Sequence, residues 1–270
     1  MQLQLIRNAT MRITYSGKLI LTDPFLLPAY SFEPFVGVSP NPTVELPCSP
    51  PEVVDGVELV IVSHLHPDHI DPLAQRLLPG DIPLFCQPGD EMTLRQGGFQ
   101  SASPVDMPEK WEGITISRTP GRHGTGAMAR QMGSVSGFTF QAEGEPTVYW
   151  AGDTIWYEGV KRVLEHMKPD VIVTHSCGAQ FPGADPIIMD AAQTIAVCRE
   201  APEATVVAIH MEAVDHATVT RAGLREAAEE AGITPEQLLI PQDGETLEFL
   251  KGSGFAEEGE VSVSPFKQPT

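Results

Sequence analysis

The sequence has no long hydrophobic run and no export signal. None of its stretches approaches the ~18–20 consecutive apolar residues of a membrane-spanning helix. The N-terminus, residues 1–8, has the pattern of a strand and lacks the basic start and continuous apolar core of a signal peptide. We therefore expect a cytoplasmic protein that does not enter a membrane.

Cysteine is scarce. The chain has 4 cysteines, Cys48, Cys86, Cys177 and Cys198, which are widely spaced and form no Cys-x-x-Cys pair. An even count is compatible with disulfides, but in a chain that is not exported we expect free thiols.

Positive charge is also low. Lysine and arginine number 17 against 36 aspartates and glutamates, which gives a net charge of −19. A phosphate backbone requires a basic surface, so nucleic acid is disfavoured as a partner. We therefore expect a small-molecule substrate, which can be anionic if basic residues line the site. Arg122 is one candidate for that role, and an ordinary surface arginine is the equally good alternative.

The most informative feature that is present is the run Ser63-His64-Leu65-His66-Pro67-Asp68-His69, directly after the apolar stretch 57–62. Imidazole and carboxylate are preferred ligands of zinc and similar divalent ions. Side chains two apart in a strand point to the same face, so His64 and His66 can reach one ion together. Pro67 ends strand pairing, and the last two residues can serve a second ion. The alternative is a polar loop whose histidines cap a helix.

The hexapeptide from His64 to His69 resembles the HxHxDH signature of the metallo-β-lactamase superfamily. The resemblance implies an α/β fold, namely a four-layer αββα sandwich with a two-metal site at the edge of its sheets. It also implies three further ligands in chain order, each after a strand: a histidine, an aspartate and a histidine.

Each of these three ligands has a candidate. His123 follows the alternating strand pattern at 113–117. Asp153 lies in the turn Gly152-Asp153-Thr154, which is similar to the family's Gly-Asp-Thr. His210 closes the β-branched run at 204–209. A lone aspartate after a strand is more often a helix cap, so the prediction depends on the order and the shared strand-end placement of the set.

The resemblance implies two clusters of metal ligands with one bridge between them. The first cluster comprises His64, His66 and His123. The second comprises Asp68, His69 and His210, and Asp153 is the bridge. Two ions ~3.5–4 Å apart can share a hydroxide and polarise a carbonyl or phosphoryl oxygen. The nitrogen-rich set suits Zn²⁺, while Mn²⁺ and Fe²⁺ stay compatible.

Asp68, His175 and His216 are candidate catalytic residues. Asp68 can accept or relay a proton during attack. His175 follows the apolar strand 171–174 and is expected at the same sheet edge, where it can contact substrate or donate a proton. His216 lies six residues after His210 and can bind substrate, and a supporting or surface position is an equal alternative for it.

The segment from Pro24 to Pro51 is rich in proline and lacks periodicity. We predict an ordered loop that borders the site, because long loops in compact domains are usually functional or disordered. Tyr30, Phe32 and Phe35 are candidates for substrate contact, and packing against the sandwich is the slightly favoured alternative. Asp23, just before this loop, resembles an aspartate with which the family braces its metal-binding loop.

We expect one domain over residues 1–270, with 252–270 as a peripheral tail. We predict strands at 2–7, 11–15, 18–22, 83–87, 114–118, 134–142, 146–151, 170–174, 204–209 and 246–250. We predict helices at 71–78, 89–96, 157–167, 187–199, 218–231 and 235–238.

Within the superfamily, the chain resembles the UlaG-like branch, which includes ascorbate-phosphate lactonases. The resemblance depends on the strand end at 20–24, on Arg122-His123-Gly124 and on Asp243-Gly244-Glu245. It implies a metal-dependent hydrolase that uses a dinuclear metal-bound hydroxide on a small ester, lactone or phosphoester. A phosphodiesterase and a catalytically silent metal-binding scaffold are the alternatives, and a homo-oligomer is compatible with either.

Overall fold

The computed structural model describes residues 1–250, which build two seven-stranded sheets. The first sheet comprises β1 (Gln2–Arg7), β2 (Thr10–Tyr15), β3 (Lys18–Thr22), β4 (Leu59–Val62), β5 (Leu84–Cys86), β6 (Ala102–Pro104) and β14 (Thr246–Glu248), in the order β14-β1-β2-β3-β4-β5-β6. The second comprises β7 (Glu109–Trp111), β8 (Ile114–Pro120), β9 (Ser136–Gln141), β10 (Val148–Trp150), β11 (Val171–His175), β12 (Thr205–Ile209) and β13 (Leu238–Leu239), in the order β13-β12-β11-β10-β9-β8-β7.

Residues 1–250 form seven helices, six of which cover the outer faces of the sheets. They are α1 (Pro50–Val54), α2 (Pro72–Leu77), α3 (Glu91–Gln96), α4 (Gly126–Met132), α5 (Glu158–Met167), α6 (Ala191–Glu200) and α7 (Arg221–Glu230). Buried side chains of α1, α2 and α3 pack on the first sheet, and those of α5, α6 and α7 pack on the second. The inner faces of both sheets share one apolar core. This is the predicted four-layer αββα sandwich.

The apolar run before the histidine-rich segment forms β4, in which every residue is buried. β4 pairs in parallel with β3 and β5 and is covered on both faces, which explains why it shows no polar alternation. In the second sheet β10, β11 and β12 are mutually parallel, and β8 runs in the same direction as β10 because both pair antiparallel with β9. The carboxyl ends of these strands meet at one edge, where α/β proteins commonly bind ligands.

Most predicted elements occur within a few residues of their expected bounds, but the helix predicted at 235–238 is wrong. Residues 235–237 form a turn and Leu238–Leu239 form β13, because Leu238 pairs with Val206 at the edge of the second sheet. α1, α4, β6 and β7 were not predicted, and each is short. The tail predicted at 252–270 lies outside the described residues.

Within residues 1–250, no helix has the length and apolar character needed to cross a membrane. The four cysteines, all among these residues, are free thiols, as expected.

Candidate metal centre

The seven predicted ligands converge at the edge where the strands end. The ligand atoms of His64, His66 and His123 all lie within 4.8 Å of one another, and so do those of Asp68, His69 and His210. These are the two clusters that the sequence implied. Six of the seven side chains belong to buried residues, and His66 is the half-buried exception.

Asp153 lies between the two clusters. Its Oδ2 is 3.4 Å from Nε2 of His123 in one cluster and 3.3 Å from Nε2 of His69 in the other. Its Oδ1 is 3.7 Å from Nε2 of His210. One carboxylate therefore faces both groups of imidazoles, which is the arrangement that a bridging ligand requires.

The turn before Asp153 requires glycine. Gly152 has a φ of +66°, and a Cβ there would overlap the carbonyl oxygen of Ser136. Glycine adopts this backbone conformation without a steric penalty. The tight turn after β10 directs Asp153 into the site.

Each of the five histidines in the two clusters has one ring nitrogen engaged by the protein. The pairs are His64 Nδ1 with Ser63 Oγ (2.9 Å), His66 Nε2 with Met132 O (3.1 Å), His69 Nδ1 with Asp23 Oδ2 (2.6 Å), His123 Nδ1 with Ile187 O (2.9 Å) and His210 Nδ1 with Cys177 Sγ (3.5 Å). Such partners orient metal-binding imidazoles and leave the second nitrogen for the metal.

The donor set fits divalent cations. Nε2 of His64 is buried and has no hydrogen-bond partner among the described residues. A buried nitrogen without a partner is costly unless it serves a ligand. Imidazole nitrogen together with carboxylate oxygen is a donor set for zinc and related ions.

Two of these histidines have a lowered pKa, and one has a raised pKa. Burial lowers the pKa of His64 well below its usual range and the pKa of His123 to about 4, so both are neutral at pH 7. Burial also lowers the pKa of His69, but Asp153, Asp68 and Asp23 outweigh it and raise the value to about 10. The charged His69 offsets the facing carboxylates in the metal-free protein.

Asn8 supports the second cluster and was missed by the sequence reasoning. Its Nδ2 donates to Oδ2 of Asp68 at 3.2 Å and lies 3.2 Å from Nε2 of His210. It occupies the tight turn between β1 and β2 with a φ of +58°, a conformation in which asparagine is enriched. That turn was the one signal in the sequence that could have marked it.

Asp23 braces the run after β4, as the resemblance implied. Its Oδ1 accepts from the backbone N of Ser63 at 2.7 Å, and its Oδ2 contacts Nδ1 of His69. All three residues are fully buried. The end of β3 therefore orients a histidine that follows β4.

The side chain of His175 contacts Asp153. It is fully buried, and its Nδ1 lies 2.5 Å from Oδ1 of Asp153. Its Nε2 accepts from the indole N–H of Trp150 at 2.9 Å. Because indole can only donate, Nδ1 of His175 must carry the proton and donate to Asp153. Burial lowers the pKa of His175, consistent with a neutral ring.

A cleft of about 140 Å³ opens above the ligands. We call it the metal cleft; its lining residues are Phe35, His66, Pro67, Asp68, His123, Met132, Asp153, Phe181, Ile187 and His216. His175 is absent from this lining, whereas His216 lies at its mouth. Among the described residues, no lysine or arginine lines the cleft.

The other candidates for substrate contact do not all lie at the metal cleft. Phe35 lines the metal cleft, Phe32 packs edge-on between Phe25 and Phe35, and Tyr30 is 62% exposed. The guanidinium of Arg122 lies 4.5 Å above the ring of Tyr157, in a separate cavity. Packing therefore accounts for Phe32, and Arg122 does not line the metal cleft.

Comparisons with known proteins agree with this geometry. The family model described as the beta-lactamase superfamily domain matches residues 19–211. UPF0173 protein YddR of Bacillus subtilis is 34% identical over 255 residues, which cover 92% of this chain and 100% of that protein.

Two solved structures are similar over nearly the whole chain. A possible metal-dependent hydrolase from Veillonella parvula has a TM-score of 0.87 and 33% identity, covering 91% of this chain and 98% of that one. Isothiocyanate hydrolase from Delia radicum gut bacteria has a TM-score of 0.88 and 35% identity, covering 93% and 100%. The UlaG-like resemblance is compatible with these relatives and stays a prediction. The chain belongs to the β-lactamase superfamily and is a metal-dependent hydrolase of the metallo-β-lactamase fold.

Proposed function

We propose that the protein hydrolyses a small uncharged ester or lactone at a centre of two divalent cations, with Zn²⁺ as the preferred ion. The observation that carries this proposal is the position of Asp153 between two groups of three ligand side chains. When bound, such ions lower the pKa of a coordinated water toward ~7 and polarise a carbonyl oxygen.

We assign three side chains to each ion and one to both. His64, His66 and His123 would hold one ion, Asp68, His69 and His210 would hold the other, and Asp153 would contact both. The engaged ring nitrogens support this assignment, because they keep each imidazole pointed inward before an ion arrives.

Asp68 is proposed as the residue that accepts a proton from the attacking water. It lines the metal cleft, and Asn8 donates to its Oδ2. Burial raises the pKa of Asp68, but His69 and His210 outweigh it and hold the pKa well below its usual range. The carboxylate is therefore ionised at pH 7, which a proton acceptor requires.

His175 is proposed as a positioning residue. It lies behind Asp153 and outside the cleft lining, so its N–H orients a ligand and does not reach substrate. This revises our sequence interpretation of His175 as a group that contacts substrate. His216 keeps that interpretation, since it lies at the mouth of the cleft with its ring 4.8 Å from that of Phe35.

The cleft offers no lysine or arginine to a phosphoester among the described residues. Its lining contains Asp68 and Asp153 but no cationic side chain among the described residues. Phosphate recognition commonly uses arginine or lysine, and Arg122 lies elsewhere. Phosphodiesterase activity is the alternative, in which the two cations themselves would attract the phosphate.

Isothiocyanate hydrolysis is a second candidate. The structure named isothiocyanate hydrolase is 35% identical to this chain, which covers 100% of it. An isothiocyanate group is small enough for the cleft, and its central carbon is electrophilic. Addition of one water to its central carbon, followed by cleavage of the C–N bond, yields an amine and carbonyl sulfide.

The test is turnover by the purified protein loaded with Zn²⁺ or Mn²⁺. We expect hydrolysis of simple esters, lactones or alkyl isothiocyanates and little hydrolysis of bis-p-nitrophenyl phosphate. Asp68→Ala should lose activity, and Asp55→Ala, at an exposed position, is the matched control. Bound metal with no turnover on any substrate would favour the silent scaffold, and preference for the phosphodiester would overturn the proposed substrate charge.

A further inference from the structure

A second cavity adjoins the metal cleft. It has a volume of about 320 Å³, and Phe181 and His216 line both spaces. We call it the outer cavity. Val36 and Val38 line it from the loop before β4, and Phe35, next to Val36, lines the metal cleft.

Three aromatic rings separate the two spaces. The ring of His216 lies 4.8 Å from that of Phe35 and 5.8 Å from that of Phe181, centroid to centroid. We call Phe35, His216 and Phe181 the aromatic partition. His216 is only 9% exposed, and its Nδ1 has no hydrogen-bond partner among the described residues.

The metal cleft alone is small for a substrate. Its 140 Å³ is well below the ~300–1,000 Å³ typical of ligand pockets. A reactive group of a few heavy atoms fills it. A larger substrate extends beyond the cleft, and the outer cavity is a space that shares Phe181 and His216 with it.

Nδ1 of His216 has no partner among the described residues, but the other polar side chains of the outer cavity are already hydrogen-bonded within the chain. Oδ1 and Oδ2 of Asp215 accept from the backbone N–H groups of Phe35, Val36 and Val38, and Oδ1 also accepts from Nδ2 of Asn41. The hydroxyl of Thr218 donates to Gly178 O at 2.7 Å, and Nε2 of Gln180 donates to Ala184 O.

Apart from this one ring nitrogen, the chemistry that remains for a ligand is apolar. Asp215 is the one charged residue among the described lining residues, and no cation lies beside it. A carboxylate or phosphate would face this charge without a partner. An uncharged alkyl or aryl group gains from removal of its surface from water.

We propose that the outer cavity is a subsite for an uncharged apolar substituent of the substrate, and that the aromatic partition limits the length of that substituent. This inference rests on the proposed metal-dependent hydrolysis. The reactive group lies over the ligands, and the substituent passes His216 into the outer cavity.

The test is binding of a hydroxamate series to the zinc-loaded protein by calorimetry, which needs no turnover. Hydroxamates chelate zinc, so aceto-, butyro-, hexano- and octanohydroxamate extend one anchor by known lengths. We expect affinity to rise by about fourfold per methylene until the cavity is filled, the factor that corresponds to ~0.8 kcal/mol. The monohydroxamate of suberic acid, which ends in a carboxylate, should bind more weakly than octanohydroxamate.

Two variants change the space for the substituent, one by reducing it and the other by enlarging it. Val36→Trp places a larger side chain in the outer cavity, so the ratio of octano- to acetohydroxamate affinity should fall by at least about tenfold, the loss of roughly two methylenes. Phe181→Ala opens the partition, so affinity should continue to rise for longer chains. Met92→Trp, at a 57% exposed position outside both linings, is the control and should keep the wild-type ratio.

The outcomes separate the subsite from the proposed function. If acetohydroxamate fails to bind in the presence of zinc, the proposed metal centre fails and the subsite with it. If all chain lengths bind equally, or if Val36→Trp keeps the wild-type ratio while remaining folded by circular dichroism, the subsite alone is overturned.

Discussion

The indole Nε1 of Trp150 lies 2.9 Å from Nε2 of His175 and donates a hydrogen bond to it. Indole has no acceptor, so this contact selects one tautomer of His175 and places its proton on Nδ1. That proton faces Oδ1 of Asp153, the carboxylate between the two ligand clusters. A core tryptophan of β10 thus orients a candidate metal ligand three residues later through a histidine of β11.

Trp150→Phe keeps most of the apolar volume but removes the donor. We expect zinc affinity to fall by about tenfold to a hundredfold, the usual effect of losing such an orienting contact. Competition with a chromophoric chelator measures it, and the absorption spectrum of the cobalt-loaded protein reports the changed ligand geometry.

His175→Asn and His175→Ala test the same chain of contacts. The amide N–H of asparagine can replace Nδ1–H, so His175→Asn should retain more zinc affinity than His175→Ala. Trp156→Phe, which leaves this chain of contacts intact, is the control. Equal affinities in both His175 variants would contradict the positioning role.

Asp153→Ala should reduce the metal content from two ions per chain to one or fewer, because the carboxylate faces both clusters. His66→Ala removes a ligand from the first cluster only and should leave the second ion bound. Elemental analysis after dialysis measures both. Unchanged metal content in either variant would show that the ligand assignment is wrong. Asp55→Ala is the control and should keep the wild-type metal content.

Metal binding should release protons at pH 7. The facing carboxylates raise the pKa of His69 to about 10, so the metal-free protein carries a proton that a metal must displace. Affinity should therefore rise with pH up to that value. Calorimetry in two buffers of different ionisation enthalpy measures the release, and an identical heat in both would contradict this expectation.

The same group makes the metal-free protein sensitive to alkali. The pKa of His69 in the folded state lies above its ordinary value of 6.5, so its contribution to stability is complete below 6.5 and is lost as the pH rises through about 10. The melting temperature of the chelator-treated protein should fall across this range, and that of the zinc-loaded protein should fall less.

Asp215→Ala should loosen the loop that carries Phe35. Asp215 accepts from three backbone N–H groups of this loop, so we expect a loss of about 1–2 kcal/mol at pH 7 after allowance for solvent screening. Urea unfolding measures it, with Glu33→Ala at an exposed position as the control.

The pH dependence of this loss follows from the same contacts. Burial raises the pKa of Asp215, but the hydrogen bonds of Asn41 and of the loop outweigh it and lower the pKa below 3.8. Its contribution is therefore present above pH 3.8 and is lost in stronger acid. The difference between wild type and Asp215→Ala should disappear there, and a difference that persists would contradict this origin.

The candidate ligands could be proposed from the sequence because each lies in the loop that follows a strand. His64, Asp153 and His210 come after apolar runs, and parallel strands bring their carboxyl ends to one edge. The hexapeptide signature added the order. Local pattern and topology were sufficient here because neither depends on side-chain packing.

The partners of the ligands could not be predicted in the same way. Ile187 O lies 64 residues from His123, and Met132 O lies 66 residues from His66. Backbone carbonyls carry no sequence signal, and α4, which supplies the second, buries none of its side chains. β13 was read as a helix because the two-residue strand exists only through its pairing with β12.

His175 shows what the sequence could predict and what required the tertiary structure. The sequence by itself determined that it follows an apolar strand and reaches the ligand edge, since strand periodicity and topology require no more. Only the tertiary structure decided that it lies behind Asp153 and outside the cleft, because that depends on Trp150 of the neighbouring strand. The same holds for the chain as a whole: residues 64–69 contain four of the seven candidate ligands, whereas the other three, and the shape of the cleft, come from distant segments that meet only after folding.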